Sequence, residues 1–299
     1  MSLSVGIVGL ANAGKSTLFN ALLKKQQALV ASYPFATIEP NVGIVPVPDD
    51  RLIELSKVIK VSEKLDREPP IVPATVTFID IAGLIAGAHK GEGLGNKFLA
   101  HIREVDVMAH VVRAFGDGVD VKGDFATVKT ELELADLEHP DAPPLTKKPE
   151  ILVINVAEEN LGKSYEEGAI VICAKIEAEL VELSETDQRA YLKELGLEQS
   201  GLERLITAAY QKLGLMSFLT AGEKEVRAWM VRLGCTALTA SGTIHTDFMK
   251  KFIKADVVKY EDFVRVGGWK AAREAGLVRS EGRDYVMQEG DVVEFKIGM

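Results

Sequence analysis

Along the first 215 residues, short apolar runs alternate with stretches whose apolar positions recur at helical spacing. Residues 5–8, 74–79, 108–112, 151–154 and 169–173 are brief and apolar, and residues 42–47 alternate, so each reads as a strand. Helical spacing marks residues 15–24, 94–104 and 51–60, the last through Leu52, Leu55, Val58 and Ile59. Strands alternating with helices imply an α/β fold with a mostly parallel sheet between helical layers. Residues 174–215 read as largely helical and acidic. Three prolines in residues 139–148 (HPDAPPLTKK) stop any helix there and make a connector. Beyond residue 215 come short strands around 226–231 and 292–297, a small helix around 246–255, and glycine turns. The expected organisation is therefore an α/β domain over residues 1–215 and a compact α+β module over residues 216–299.

Charge supports a boundary there. The chain carries 35 basic and 44 acidic residues, a net of −9. Residues 216–299 are close to neutral, so the first part holds the acidic excess. That balance argues against unspecific binding to DNA, while saying nothing about a local patch. Charged residues interrupt the chain too often for a membrane span. The N-terminus lacks a basic region and a cleavage site, which places the chain in the cytoplasm by expectation. Cys173 and Cys235 stand without CxxC or Cys/His spacing and read as reduced core thiols.

The chemistry begins at residues 9–16, GLANAGKS, which fit G-x-x-x-x-G-K-[ST] between a strand and a helix. Glycines let backbone N–H groups converge on phosphate, and the helix dipole favours the same anion. Asn12, Ala13, Gly14, Lys15, Ser16 and Thr17 thus form the phosphate side. Lys15 is expected on the β and γ phosphates, and the Ser16 hydroxyl on Mg²⁺. Sixty-five residues after Lys15, Asp80 to Gly83 (DIAG) close an apolar strand as D-x-x-G. There Asp80 can hold Mg²⁺ through water and the Gly83 amide can sense the γ phosphate. Thr37, in the loop YPFATIEPN, could supply a second hydroxyl to Mg²⁺, as the ordering loop of a switch protein does. Five glycines between residues 83 and 95 mark a segment that is cheap to move and reads as a switch.

GTP-binding switches read guanine with N-K-x-D. Here the corresponding strand ends in Asn155, Val156, Ala157 and Glu158, so the lysine is gone and the carboxylate is one methylene longer. A misplaced carboxylate loses about 1–3 kcal/mol of guanine discrimination. Adenine becomes the better reading, with Asn155 near the base, Val156 beside it, and Cys173, Ala174 and Lys175 as the second base-side loop. Glu158 reads equally as a base contact or an exposed strand-end carboxylate.

These stretches together resemble one family. GLANAGKSTLFNAL, SYPFATIEPN, DIAGLIAGAHKGEGLGNKFLAHIR, the N-x-x-E element, and C-terminally AGEKEVRAWMVRLG, SGTIHTDF, FIKADVV and YEDF are similar to the YchF-type Obg-like ATPases. The resemblance covers both ends of the chain. It implies a P-loop domain of the TRAFAC class, ATP preferred over GTP, slow hydrolysis, a C-terminal β-grasp-like TGS domain from about residue 216, and association with the ribosome or its RNA. It also puts Leu84 where GTPases place a water-orienting glutamine, so Lys15 and the Gly83 amide carry the catalytic expectation. The loop histidine usual in the family is missing from FGDGVDVKGDF, and His89 is a weaker substitute. Asn12 matches an asparagine that coordinates K⁺ in related enzymes.

Two departures stand out. The family's long helical insertion after T-E-L-x-L-A-D-L is absent, since TELELADL at residues 130–137 runs into the proline connector by residue 148. Only about a dozen residues separate the strand at Asn155 from the strand at Ala169, so either that crossover is unusually tight or segments are missing. In the C-terminal module, Lys250, Lys251, Lys254 and Lys259 form a basic cluster, and a helix would put 250 and 254 on one face for RNA phosphates. Trp229 and Trp269 read as core or semi-buried residues rather than stacking platforms. The leading expectation is a slow Mg²⁺-dependent ATPase switch. Alternatives are a non-hydrolysing nucleotide-gated RNA or ribosome binder and an Obg-type GTPase, with a P-loop kinase disfavoured.

Overall fold

A computed structural model describes residues 3–32, 41–81 and 94–298, with positions 26–32 and 94–97 defined by helical backbone alone. The chain folds as two compact units, residues 1–46 with 76–213 and residues 47–75 with 214–299. In chain order the elements begin β1 (Ser4–Val8), α1 (Lys15–Ser32), β2 (Val42–Pro46), α2 (Arg51–Ser62), β3 (Ile71–Val72), β4 (Thr75–Asp80), α3 (Leu94–Glu104) and β5 (Val107–Ala114). They continue with α4 (Val121–Glu138), β6 (Glu150–Val156), β7 (Ile170–Ile172), α5 (Ala174–Leu180), α6 (Glu185–Glu194) and α7 (Gly201–Lys212). The last stretch holds β8 (Leu215–Ala221), β9 (Val226–Arg232), α8 (Ala237–Ile244), α9 (Thr246–Lys250), β10 (Phe252–Lys259), α10 (Tyr260–Val266), α11 (Trp269–Glu274), β11 (Arg279–Glu281) and β12 (Asp291–Ile297).

The first unit is built on a sheet of order β2-β4-β1-β5-β6-β7. β1 pairs in parallel with β4 and β5, and β5–β6 and β6–β7 are parallel as well. Central strands buried on both faces read as continuous apolar runs, which is why β1 and β5 lack alternation. One core layer joins Val8, Ile81, Ile102, Val128 and Leu132, and another joins Val112, Ile154, Ile176 and Leu180. The crossover from β6 to β7 is the tight alternative: a single 3-10 turn at Glu158–Asn160 carries it, and the strands still pair in parallel.

After α4 the proline connector is knitted down by Asp136. Its carboxylate accepts from the backbone N–H of Leu145 (2.6 Å) and Thr146 (3.0 Å) and from the Thr146 hydroxyl (2.7 Å). Those bonds hold its pKa below the ordinary carboxylate value despite opposing desolvation.

The second unit is a mixed sheet of order β11-β10-β12-β8-β9-β3. β8 and β12 are parallel at its centre, while β8–β9, β10–β12 and β10–β11 are antiparallel. Residues 47–75, which the sequence pattern leaves with the nucleotide domain, belong here instead. β3 adds to β9 in parallel, and α2 packs through Leu52, Leu55 and Ile59. Arg51 forks onto Asp49 (2.7 and 2.8 Å) and reaches Glu289 (2.6 Å), and Tyr260 donates to Glu54. Strand pairing and apolar area bind the excursion more strongly than sequence proximity does.

The helix expected over 246–255 is also corrected. α9 ends at Lys250, and β10 begins at Phe252 because both its neighbours, β11 and β12, claim its backbone hydrogen bonds. Ile253 is the extra residue where the register with β12 shifts, and it is 61% exposed. Lys250 and Lys254 therefore share no helix face, and Lys254 is bound to Asp256 and Ser280 (both 2.8 Å). Trp269 is buried and donates to the Ala221 carbonyl, whereas Trp229 is half-buried beneath the Arg227 guanidinium.

Candidate nucleotide site

The site grows from the carboxyl end of β1, where a loop turns the chain into α1. Gly9 stands at φ +148°, and a Cβ there would lie 2.2 Å from the Val111 carbonyl oxygen. Gly14 stands at φ +90°, and its Cβ would lie 2.1 Å from Asn155 Nδ2. Both glycines are thus required sterically as well as by backbone angle. Asn12 also adopts a left-handed conformation, at φ +62°, with its side chain exposed at the rim. Ala13 is buried beneath the loop, while Ser16 and Thr17 at the start of α1 are exposed.

Lys15 is only 6% exposed and donates to the Leu10 carbonyl at 2.7 Å, closing the loop on itself. Burial lowers its pKa, and the charge of Asp80 opposes that shift. Asp80, at the end of β4, is raised by burial and held back by Lys15. The two oppositely charged groups therefore feel each other while burial works against the charge of both.

Asn155 ends β6 and is 4% exposed. Its Nδ2 donates to the Ala13 carbonyl (2.9 Å), and its Oδ1 accepts from the Ala174 N–H (3.0 Å). The phosphate loop and the start of α5 are therefore fastened to one carboxamide. Val156 and Cys173, expected beside the base, are 2% and 3% exposed and pack with Ile176 and Leu180. Their side chains belong to the core, because strand-end positions on the inward face of β6 and β7 fill the layer under α5. Glu158 is exposed at the start of the 3-10 turn, and Lys175 is exposed one residue beyond Ala174. Thr37, Gly83, Leu84 and His89 lie outside the described residues. Sequence reasoning missed the Asn155 strut, whose only signal was an asparagine at a strand end.

Among the described residues no three His, Cys, Asp or Glu side chains cluster as a metal set, and both cysteines are free thiols. No helix among them is long and apolar enough to cross a membrane.

Comparison with known proteins places two family models on the chain. Residues 4–156 match the family described as 50S ribosome-binding GTPase. Residues 215–298 match the YchF GTPase C-terminal family, described as a protein of unknown function. The chain is 41% identical to the "Ribosome-binding ATPase YchF" of Bacillus subtilis and to that of Haemophilus influenzae, over all of each chain. To the protein of that name from Escherichia coli O157:H7 it is 39% identical over 99% of both. A solved structure of the Schizosaccharomyces pombe YchF GTPase superposes with a TM-score of 0.83 at 31% identity, covering 99% of this chain and 98% of that one. The B. subtilis alignment spans 374 positions against 299 residues here, so that relative carries internal residues this chain lacks.

Proposed function

The chain belongs to the YchF family, and on that premise we propose that it is a ribosome-binding ATPase working as a nucleotide-dependent switch. The observation that carries the reading is the corner where Lys15, Asp80 and Asn155 converge on a loop whose two glycines admit no side chain. Backbone N–H groups from Asn12 to Thr17 would cradle the phosphates, and Lys15 would leave the Leu10 carbonyl to neutralise the β and γ groups. Asn155 keeps the phosphate and base loops in register; with Val156 and Cys173 turned inward, backbone around Ala157 and Ala174 meets the base. Glu158 is exposed and free to meet a ligand or solvent.

The residues present fit Mg²⁺. Asp80 is a half-buried carboxylate with a raised pKa and no hydrogen-bond donor among the described residues, and the Ser16 hydroxyl is exposed one residue past Lys15. A divalent ion there would neutralise charge on the β and γ phosphates. Thr37 would add a hydroxyl to the same ion, the Gly83 amide would meet the γ phosphate, and Asn12 would offer its carboxamide to K⁺. Leu84 supplies nothing that orients water, so turnover is slow. The C-terminal unit serves as a TGS-type module that carries the nucleotide state to ribosomal RNA or protein in the cytoplasm.

Phosphate release from ATP, with Lys15→Ala as control, tests the enzyme reading. Turnover of the wild-type chain at the level of that control, with and without K⁺, would leave only a non-hydrolysing binder. Because the S. pombe relative is named a GTPase, competition of ATP with GTP decides the base. Sedimentation with ribosomes in ATP and in ADP decides the partner.

A further inference from the structure

The turn from β7 into α5 is held from behind as well as from the front. Cys173, which starts the helix, makes no side-chain cap, so the turn depends on other elements for its position. On the front, Asn155 Oδ1 accepts from the Ala174 N–H. Behind it lies the N-terminus of α7, where Ser200 and Glu203 form a reciprocal capping box.

Glu177 joins that N-terminus to the turn. It stands in the first turn of α5, its N–H donating to the Cys173 carbonyl at 3.0 Å, and its Oε1 accepts from the Gly201 N–H at 2.6 Å. Gly201 is the first residue of α7, so that N–H has no partner within its own helix. A Cβ on Gly201 would lie 2.8 Å from Glu177 Oε1 and 2.7 Å from Ile172 Cγ1. Ile172 precedes the turn and Glu177 follows it, so both of its flanks lean on one glycine. Stability alone does not account for a glutamate in this place. It is 4% exposed, and its Oε2 is buried without a hydrogen-bond partner among the described residues. Burial raises its pKa against the pull of the Leu202 and Gly201 N–H groups and of Lys25. A buried, incompletely paired carboxyl stabilises a fold less than an apolar side chain of its size. What it supplies is a fixed separation between α5 and α7.

We propose that Glu177 is a positioning residue for nucleotide recognition: by tying the first turn of α5 to the N-terminus of α7, it fixes the Ala174 backbone against the base. The inference rests on the nucleotide reading above and adds the group that sets that edge of the site. Calorimetric titration of the full chain with ATP and with inorganic tripolyphosphate, which has no base, tests it. Glu177→Ala should weaken ATP by about tenfold, the worth of one hydrogen bond to a charged group, and leave tripolyphosphate unchanged. Glu177→Gln keeps an acceptor for the Gly201 N–H and should return ATP to near wild-type affinity. Gly201→Ala approaches the same joint from α7. Alanine favours a helix, so a selective loss of ATP there traces to crowding of Glu177 and Ile172. That variant decides the matter if Glu177→Ala does not fold. Full ATP affinity in the alanine variants overturns the proposal, as does an equal loss of both ligands, the mark of a purely structural role, or a Glu177→Gln as weak as Glu177→Ala. Failure of the underlying base reading would look different, since the wild-type chain would then bind ATP no more tightly than tripolyphosphate.

Discussion

Asn155 and Gly14 are a matched pair, and each explains the other. The carboxamide can span the Ala13 carbonyl and the Ala174 N–H only because no Cβ occupies residue 14. Asn155→Ala strips partners from two buried backbone groups, at about 1–3 kcal/mol each. We expect a matching loss in denaturant midpoint together with at least tenfold weaker ATP binding. Normal ATP affinity in that variant would show that the strut is dispensable. Gly14→Ala adds a left-handed backbone cost of about 1–2 kcal/mol to a direct collision with Asn155. Its nucleotide binding should be lost in titration while far-UV circular dichroism stays native. The motif made Gly14 and Lys15 legible in the sequence, since strand, loop and helix fall in register. Asn155 was legible as a site residue and not as a strut, because its partners are 142 and 19 residues away. Val156 and Cys173 looked like ligand contacts because inward and outward faces of a strand end cannot be told apart without the register.

Elements tell a similar story about distance. α1, α2 and α3 and the strands of the first sheet announce themselves through local periodicity. The start of β10 does not. Phe248, Met249, Phe252 and Ile253 repeat at helical spacing, and only pairing with β11 and β12 makes an edge-to-edge strand of the second half. The connector after α4 is a clearer case of local chemistry deciding a chain path. Asp136 has a lowered pKa in the fold, so its contribution is present above the ordinary carboxylate value and is lost as pH falls through the folded value. Asp136→Asn should therefore cost on the order of 1 kcal/mol near pH 7, since water screens much of the carboxylate's charge. The difference from wild type should shrink steadily below about pH 4. Urea unfolding at several pH values reads this directly, and a penalty independent of pH would mean that packing rather than charge holds the turn.

At the scale of the whole chain, composition and charge placed a boundary near residue 215, yet they could not show that the second unit is discontinuous. Nothing in residues 47–75 sets them apart from their neighbours, because an amphipathic helix and a two-residue strand fit either unit. The consequence is measurable. A fragment of residues 214–299 lacks β3, α2 and the Arg51–Glu289 and Tyr260–Glu54 links. It should show no cooperative thermal transition, and a peptide of residues 47–75 added in trans should restore one. A fragment that melts cooperatively at the same temperature with and without the peptide would refute that dependence.

Interleaving of this kind also imposes an order of events during synthesis. The first unit has all its residues once position 213 has been made, but α2 must then wait for residues 214–299 before Leu52, Leu55 and Ile59 find their cover. At about 5–20 residues per second that wait is on the order of ten seconds. Throughout it the apolar face of an amphipathic helix is tethered, uncovered, between two strands already in place, and the newborn chain is at its most adhesive in the middle rather than at its growing end.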